Sequence, residues 1–379
     1  MGTRRAPAGL WVGRRTGDGG TPPPPPPWSL QAGRPFTSTR YTITVGDQTG
    51  RPIGELMGRL ESVNVRQDGY GQAAMLVAST LVRDRLWLVE FGNRVMIEFE
   101  NGIEPWGGVI DVPRENSAAM ARLQMYQAGY LMGWDALDED VTYAGTTAGT
   151  ACSILRDVVS RSSLNIELAD WGRDDGETLD VTFSAQETIA SAAARLRELD
   201  PRMHWGISPR WVGGRIVFEL STWRDNRRDD SSRVVLVVGH NLVGVTSLEQ
   251  GPIINDVRVE AAGRSGGVRW DNAESVKRFG RRKEMVTLPD TTDAPRPGYA
   301  EQFAAGRGQA LAWPRVRTTG VALDLAPGRY RDYAVGSRVM IEGELPQATF
   351  RPATVVSADY APGDGMLHLV IDGADQVEP

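Results

Sequence analysis

The sequence predicts a mostly β protein in which two antiparallel β-barrels flank a small mixed α and β module. Three observations support this fold class. Apolar residues alternate with period two near both ends of the chain, glycine and asparagine interrupt them at hairpin spacing, and two amphipathic helices appear in between. At 379 residues, the chain is long enough for two or three such units, each with a buried core.

We expect four segments with distinct roles. Residues 1–36 are a proline-rich N-terminal arm, 37–135 the first barrel, 136–245 the α+β module, and 246–379 the second barrel. The arm contains an unbroken proline run from Pro22 to Pro27, followed by Trp28. Such a run favours an extended polyproline II rod, so the arm is either a disordered leader or a partner-binding segment.

The first barrel is predicted from short strands whose apolar residues face one side. The strands are marked by Tyr41, Ile43 and Val45, by Leu60, Val63 and Val65, and by Val95, Ile97 and Phe99. Glycines and asparagines separate them at hairpin spacing. The pattern fits an antiparallel barrel or sandwich.

Two helices distinguish the central module. The first covers roughly residues 149–162 and places Ile154, Leu155, Val158 and Val159 on one face. For the second, Ser184 and Glu187 form a predicted capping box, Ile189, Ala192, Leu196 and Leu199 recur at helical spacing, and Pro201 ends the helix. Strands near 203–207 and 215–220 follow. The second barrel then has predicted strands near 254–259, 316–323, 337–342, 353–360 and 366–371, with a helix near 300–311.

A short internal repeat relates the two barrels. The residues Gly92, Arg94, Val95, Met96, Ile97 and Glu98 recur at the same spacing as Gly336, Arg338, Val339, Met340, Ile341 and Glu342. Asn93 in the first copy corresponds to Ser337 in the second, and a turn and another strand follow each copy. The repeat predicts a duplicated structural unit, so that three chains in a ring would present six such units to a sixfold tube.

Composition argues against several classes of function. The net charge of −6 is unsuited to a protein that grips nucleic-acid phosphates. Cys152 is the sole cysteine, and His204, His240 and His368 are the three histidines, so triad and metal chemistry have few candidates. We therefore predict no catalytic, cofactor-binding or metal-binding residues.

The sequence lacks the common catalytic and phosphate-binding motifs. It contains no Gly-x-Ser-x-Gly, no His-Glu-x-x-His and no P-loop lysine motif. The acidic cluster Asp170, Asp174, Asp175 and Glu177 fails the EF-hand register around Gly176, and the acidic run Asp135, Asp138, Glu139 and Asp140 is interpreted as a solvated linker. Cys152 is interpreted as a buried small apolar residue.

The order of motifs resembles the baseplate hub or tail-tip hub proteins, also called minor tail proteins, of tailed bacteriophages and related contractile injection systems. The resemblance covers roughly residues 41–375. It depends on Phe91–Ile97 leading to Trp106–Asp111, the helix at Ile154-Leu155, the helix near 184–199 followed by Trp205, and the segments Gly239–Leu242, Asn255–Val259, Phe279–Arg282 and Val335–Val339.

The resemblance implies a structural virion protein and not an enzyme. It implies a homotrimer with two tail-tube-like barrels per chain, which lines the DNA-ejection channel at the phage tail tip. The implied partners are a tail tube or distal tail protein, a tip, spike or fibre protein, a tape measure protein, and phage DNA in passage. The sequence has no apolar run of the roughly 18 residues that a membrane span needs, so we expect synthesis in the host cytoplasm and no membrane anchor. The sequence departs from many members of the family by ending near residue 379, so we expect no long C-terminal peptidase or receptor-binding extension.

Two alternative functions remain open from the sequence. One is a tail-associated cell-wall-degrading endopeptidase or lysin, since carboxylate pairs for glycoside cleavage are defined by spatial separation. The other is a carbohydrate-binding tail-tip adhesin, because exposed tryptophan rings can stack on sugars. The tryptophans considered for that role are Trp87, Trp106, Trp134, Trp205, Trp211, Trp223 and Trp270.

Overall fold

The fold is described from a computed structural model of the chain. It describes residues 40–100, 104–111, 114–115, 119–172, 176–229, 234–237, 242–250, 252–261, 267–288, 299–312, 315–323, 334–342, 351–362 and 366–374. The predictions made for the arm at residues 1–36, for His240, and for Asp174 and Asp175 lie outside these residues.

The secondary structure is mostly β, as predicted. The strands of the first 150 residues are β1 (Tyr41–Gly46), β2 (Pro52–Glu55), β3 (Arg59–Arg66), β4 (Gln72–Ala78), β5 (Arg94–Phe99), β6 (Trp106–Ile110), β7 (Arg114–Glu115), β8 (Met120–Gln127), β9 (Val141–Tyr143) and β10 (Gly149–Thr150). The next strands are β11 (Ile166–Gly172), β12 (Thr178–Leu179), β13 (Val181–Phe183), β14 (Met203–Val212), β15 (Arg215–Arg224), β16 (Arg228–Asp229) and β17 (Val235–Val237). The remaining strands are β18 (Leu242–Gln250), β19 (Asp256–Ala261), β20 (Val268–Asp271), β21 (Lys283–Leu288), β22 (Arg315–Leu323), β23 (Ser337–Glu342), β24 (Arg351–Ala361) and β25 (Met366–Ala374).

Helices are few and short. They are α1 (Ser79–Asp84), α2 (Ala151–Ser160), α3 (Ile189–Leu199), α4 (Ala273–Phe279) and α5 (Tyr299–Leu311), with 3₁₀ turns at Leu86–Leu88, Ala128–Gly133 and Gly145–Thr147. Within the described ranges, every helix is too short or too polar to span a bilayer.

The strands of both predicted barrels belong to one sheet. Its main path runs β18-β22-β25-β24-β3-β4-β8-β6-β5-β1-β2, and β7, β16, β17 and β23 pair at its sides. The two halves meet where β24 and β3 pair antiparallel, with Ser357 opposite Arg66 and Tyr360 opposite Val63. This path is open in the described part of the chain, so the prediction of two separate closed barrels is not confirmed.

One hydrophobic core serves both halves of this sheet. Val45, Val95 and Leu123 from the first half pack in the same cluster as Val355 and Leu369 from the second. The aromatic rings of Phe99 and Tyr360 meet edge to face across the two halves, with centroids 5.5 Å apart. Because apolar burial is the main driving force of folding, neither half has a core independent of the other.

A β-bulge in β3 explains why Leu60 and Val63 depart from the period-two spacing of buried residues. Leu60 and Val63 are three residues apart, yet both are buried in the shared core. The register of β3 against β4 shifts between Leu60 and Ser62, which inserts one extra residue. A bulge of this kind returns the following residues to the original face of the sheet.

The central module has its own layer and its own core. β14 and β15 form the long hairpin predicted around Gly213-Gly214, and β11 pairs with β15 in parallel. α2 and α3 lie on this sheet and bury Leu155 and Leu196 in a second hydrophobic cluster.

The prediction that the strand at Asn255–Val259 belongs to the second barrel is wrong. β19 lies in a separate three-stranded sheet of order β20-β19-β21, which packs with α5 against the second cluster. Buried Asn255 joins two of the segments that carried the family resemblance, because its side-chain amide donates to the Gly280 carbonyl at 2.9 Å and its oxygen accepts from the Arg282 N–H at 2.7 Å.

The helix α2 confirms its prediction, whereas the start of α3 corrects one. Thr150 caps α2 by accepting from the Ser153 N–H at 3.1 Å. The N-cap of α3 is Thr188, which accepts from the Ser191 N–H at 3.1 Å, so the capping box at Ser184 and Glu187 is wrong by one turn. Those two residues close a separate turn, in which the Glu187 carboxylate accepts from the Ser184 N–H at 3.3 Å.

The cap of α3 can be tested with a matched pair of substitutions. Thr188→Ala removes the acceptor for the Ser191 N–H, and we expect it to lower the free energy of unfolding by about 1 kcal/mol. Ser184→Ala should change it by less than about 0.5 kcal/mol, since no helix bond depends on that hydroxyl. Urea denaturation followed by circular dichroism measures both. Equal losses would contradict the cap assignment.

Candidate functional site

The repeated segment adopts the same backbone geometry in both copies. Gly92 and Gly336 both have positive φ, at 84° and 91°. The Gly92 N–H donates to the Ile110 carbonyl at 3.0 Å, and the Gly336 N–H donates to the Val355 carbonyl at 2.7 Å. Each glycine therefore turns the chain into a strand while bonded to the neighbouring strand of its hairpin.

The one position that differs between the copies has an equivalent role in each. Asn93 and Ser337 are buried polar residues. The Asn93 side chain donates to the Trp87 carbonyl at 2.9 Å, and the Ser337 hydroxyl accepts from the Ala334 N–H at 3.0 Å. In both copies a polar side chain stabilises the turn that precedes the strand.

The strands that follow match in pairing and in the face they bury. Antiparallel partners are Val109 for Arg94 and Thr354 for Arg338. The side chains with equivalent positions in the shared core are Val95 with Val339 and Ile97 with Ile341. The two hairpins β5-β6 and β23-β24, which we call the twin hairpins, thus contribute equivalent apolar residues to one core.

The faces of the twin hairpins that point away from the shared core differ in burial. Met96 is 3% exposed and packs in the module's core, whereas Met340 is half-buried. Glu98 is half-buried, and the side chain of Glu342 lies outside the described part. The central module covers the first hairpin, which leaves the second more open.

Arg94 is the residue through which the first hairpin holds the module. Its guanidinium donates to the carbonyls of Gln48 at 3.0 Å, Ile216 at 3.3 Å and Asn165 at 3.3 Å. Its Cζ also lies 4.7 Å from the centroid of the Phe218 ring. Arginine suits such a site because its planar fork offers five donors and stays charged when buried.

Burial changes the electrostatics of this junction. Desolvation lowers the pKa of Arg94, and the negative charge of Asp47 partly opposes this. Asp47 accepts from the Thr49 hydroxyl at 2.7 Å, which contributes most to lowering the pKa of its own carboxyl. The turn after β1 therefore supplies both a carbonyl ligand and a compensating negative charge for Arg94.

A second junction joins the module to the turn between β3 and β4. Asp68 has a positive φ of 56°, and its carboxylate contacts His204 Nδ1 and Arg197 Nη1, both at 2.7 Å. The same carboxylate accepts from the Trp205 N–H at 2.9 Å. His204, one of the three histidines considered in the sequence, thus contacts the carboxylate that joins the module to this turn.

The second hairpin contacts the module through Trp223 and Arg227. Gly336 lies under the buried Trp223 ring, where an added Cβ would come within 2.7 Å of its Cζ2 atom. The Arg227 N–H donates to the Gly336 carbonyl at 2.7 Å, and its guanidinium pairs with Glu104 of the first half at 3.1 Å. The module therefore contacts both twin hairpins.

The predicted sugar-stacking tryptophans divide into two groups. Trp106, Trp205 and Trp223 are buried, and Trp270 is half-buried. The exposed ones are Trp87, Trp134 and Trp211. The predicted acid run has structural contacts, since Asp135 accepts from the Ser163 N–H and Asp140 from the Ala185 N–H.

Trp134 belongs to a continuous set of rings, which we call the aromatic ladder and define as Tyr70, Tyr126, Tyr130, Trp134 and Phe91. Successive ring centroids are 5.0 Å apart for Tyr70 and Tyr130, 5.2 Å for Tyr130 and Trp134, and 4.9 Å for Trp134 and Phe91, while Tyr126 stacks on Tyr130 at 4.4 Å. Sequence analysis missed it, although the four-residue spacing of Tyr126, Tyr130 and Trp134 was a usable signal.

Among the described residues no group of three or more histidine, cysteine, aspartate or glutamate side chains could hold a metal ion. Cys152 is buried on the inner face of α2, in agreement with its interpretation as an apolar residue.

Solved structures with a similar fold include three tail proteins, two of them from prophages. Prophage tail protein gp18 from Listeria monocytogenes is 11% identical, with a TM-score of 0.57 over 89% of this chain and 95% of that one. The 43 kDa tail protein of prophage MuSo2 from Shewanella oneidensis is 15% identical, with a TM-score of 0.55 over 88% and 97%. A tail protein from Neisseria meningitidis is 9% identical, with a TM-score of 0.56 over 90% and 98%.

These similarities establish the fold of the chain. No protein-family model and no curated protein matches it. The chain has the fold of phage tail proteins over nearly its whole length. The resemblance to the tail-tip and baseplate hub proteins, inferred from the order of motifs, is thereby confirmed at the level of the fold.

The junction at Arg94 can be tested against its counterpart in the second hairpin. Arg94→Met leaves three main-chain carbonyls without this donor, of which the one at Ile216 is buried, and we expect it to lower the free energy of unfolding by about 3 kcal/mol. Arg338→Met, at a half-buried position, should lower it by less than about 1 kcal/mol. Urea unfolding measures both variants, and similar losses would contradict the assigned role of Arg94.

The two turn glycines allow a second paired test. Both alanine variants are strained at positive φ, so Gly92→Ala should cost about 1 kcal/mol of stability. Gly336→Ala adds a clash with the buried Trp223 ring and should cost about 3 kcal/mol. Thermal unfolding of both variants measures the difference. A larger loss for Gly92→Ala would contradict the packing described for the second hairpin.

Proposed function

We propose that this chain is a structural, non-enzymatic hub protein at the tip of a phage tail. The observation that carries the proposal is the fold shared with three tail proteins, two of them from prophages, over 88–90% of this chain and 95–98% of theirs. In this role the protein is made in the host cytoplasm and incorporated into the virion.

The twin hairpins support a trimeric arrangement in this proposal. Each chain offers two equivalent hairpins in one sheet, so a ring of three chains offers six to a sixfold tail tube. On this model, residues 37–135 and 246–379 act as the two tube-like barrel units, and residues 136–245 as the module that braces them. In this division of the sequence, residues 1–36 are the N-terminal arm and are assigned to neither unit.

The proposed partners follow from this position. A tail tube or distal tail protein lies on one side of the ring, and a tip, spike or fibre protein on the other. A tape measure protein and then phage DNA pass through the centre. The net charge of −6 suits this passage, because a cationic lumen would retain phosphates.

A carbohydrate-binding adhesin is the second candidate. The observation in its favour is the aromatic ladder, in which Tyr70, Phe91 and Trp134 are each more than two-fifths exposed. Stacking of aromatic rings on sugar faces is a common mode of glycan binding. For the cell-wall-degrading alternative, we find no comparable feature in the described residues.

The hub proposal can be tested by mass and symmetry. We expect light scattering to give three times the chain mass of 41.4 kDa, and negative-stain averages to show a threefold ring with six lobes. Mixing with the tail-tube protein of the same phage should give a complex that co-elutes in size exclusion. A monomer at all concentrations that also fails to bind the tube would refute the hub role and favour the adhesin.

A further inference from the structure

The aromatic ladder is an apolar surface without an assigned partner. Tyr70, Phe91 and Trp134 are 41%, 46% and 42% exposed, and they lie next to one another through Tyr130. Single exposed aromatics are common on protein surfaces, whereas contiguous ones usually mark a binding surface. The ladder lies beside the first twin hairpin, because a Cβ at Gly92 would be 3.9 Å from the Trp134 ring.

We propose that the ladder binds this chain's own proline run, Pro22–Pro27, with the following Trp28. Polyproline II segments bind to surfaces of clustered aromatic rings, because proline rings pack on the ring faces and the exposed carbonyls accept hydrogen bonds between them. A polyproline II segment is extended before it binds, so such binding costs little conformational entropy.

The ladder provides the hydrogen-bond donors that such a rod requires. Tyr70 and Tyr130 each present a hydroxyl, and Trp134 presents an indole N–H. Within the described ranges, these three polar groups have no hydrogen-bond partner. A chain of prolines has carbonyl acceptors and no N–H groups. It therefore suits a surface whose rings carry donors that do not bond within the described part of the chain.

The lengths of the two partners agree. The centroid spacings of 5.0, 5.2 and 4.9 Å from Tyr70 to Phe91 give a ladder of at most about 15 Å. Six prolines in polyproline II extend about 19 Å, at roughly 3.1 Å per residue. The run can therefore span the whole ladder.

The connection within one chain is long enough. Twelve residues separate Pro27 from Arg40, where the described chain begins, and they can span about 40 Å. Arg40 precedes β1, whose six residues extend about 20 Å to Gly46, which pairs with Arg94 beside the Phe91 end of the ladder. The roughly 20 Å from Arg40 to the Phe91 end of the ladder is thus about half of the 40 Å that the linker can span.

Fluorine NMR of the full chain labelled with 5-fluorotryptophan tests this proposal. Trp134→Phe assigns the Trp134 resonance among the eleven tryptophans, and Trp211 is a matched control because it is 40% exposed at another site. The test variant replaces each proline from Pro22 to Pro27 by serine. Circular dichroism melting verifies that both variants fold.

We expect the serine variant to shift the Trp134 resonance and to leave that of Trp211 unchanged. Adding a peptide with the sequence of residues 21–29 to the serine variant should restore the original Trp134 resonance, and the same peptide with serines should not. An unchanged Trp134 resonance would overturn the proposal. Two other results would also overturn it, provided that the resonance does not respond to the proline substitutions. A Trp134 resonance that shifts with protein concentration would indicate that a second copy of the chain covers the ladder. One that shifts on addition of cell-wall glycan would indicate a sugar.

Discussion

The antiparallel pairing of β24 with β3 is the contact on which the rest of the architecture depends. It joins strands that are almost 300 positions apart in sequence, with Ser357 opposite Arg66 and Tyr360 opposite Val63. Through this pairing, two hairpin-rich halves become one sheet over one core. Contacts of such long range carry a large loop-closure cost, which shared apolar burial must offset.

The module makes this symmetric arrangement asymmetric. The module covers the face of the first twin hairpin that points away from the shared core, where Met96 is buried and Arg94 contacts the module. On the second twin hairpin, the equivalent Met340 is half-buried. The module is fixed at three separate places, by Arg94, by Asp68 and by Arg227. Three separated contacts fix both its position and its orientation on the sheet.

Local features were predictable from the sequence, and long-range ones were not. The strands around Val95 and Val339 and the helix α2 follow from apolar periodicity, which is a property of neighbouring residues. The N-cap of α3 was misplaced because Ser184 and Thr188 are both good caps, and the surrounding turn decides between them. The shared sheet was missed because the pairing of β24 with β3 leaves no mark in either strand alone.

The site was predictable to a similar extent. The repeat located both twin hairpins, including their turn glycines, since few residues other than glycine accept positive φ. The role of Arg94 was not apparent, because Arg338 occupies the same position in the repeat and is half-buried. The difference arises from what packs above each strand.

The contacts of Arg94 have a consequence for how this fold changes over evolution. All three of its hydrogen-bond acceptors are main-chain carbonyls, at Gln48, Asn165 and Ile216. Every amino acid provides that carbonyl, so these three bonds do not require a particular side chain at the acceptor positions. Ile216 is constrained separately by its burial in the second cluster, and Asn165 by its φ of 51°. The attachment itself then depends on one arginine and on backbone shape. Such an attachment is compatible with a fold that occurs in tail proteins only 9–15% identical to this chain.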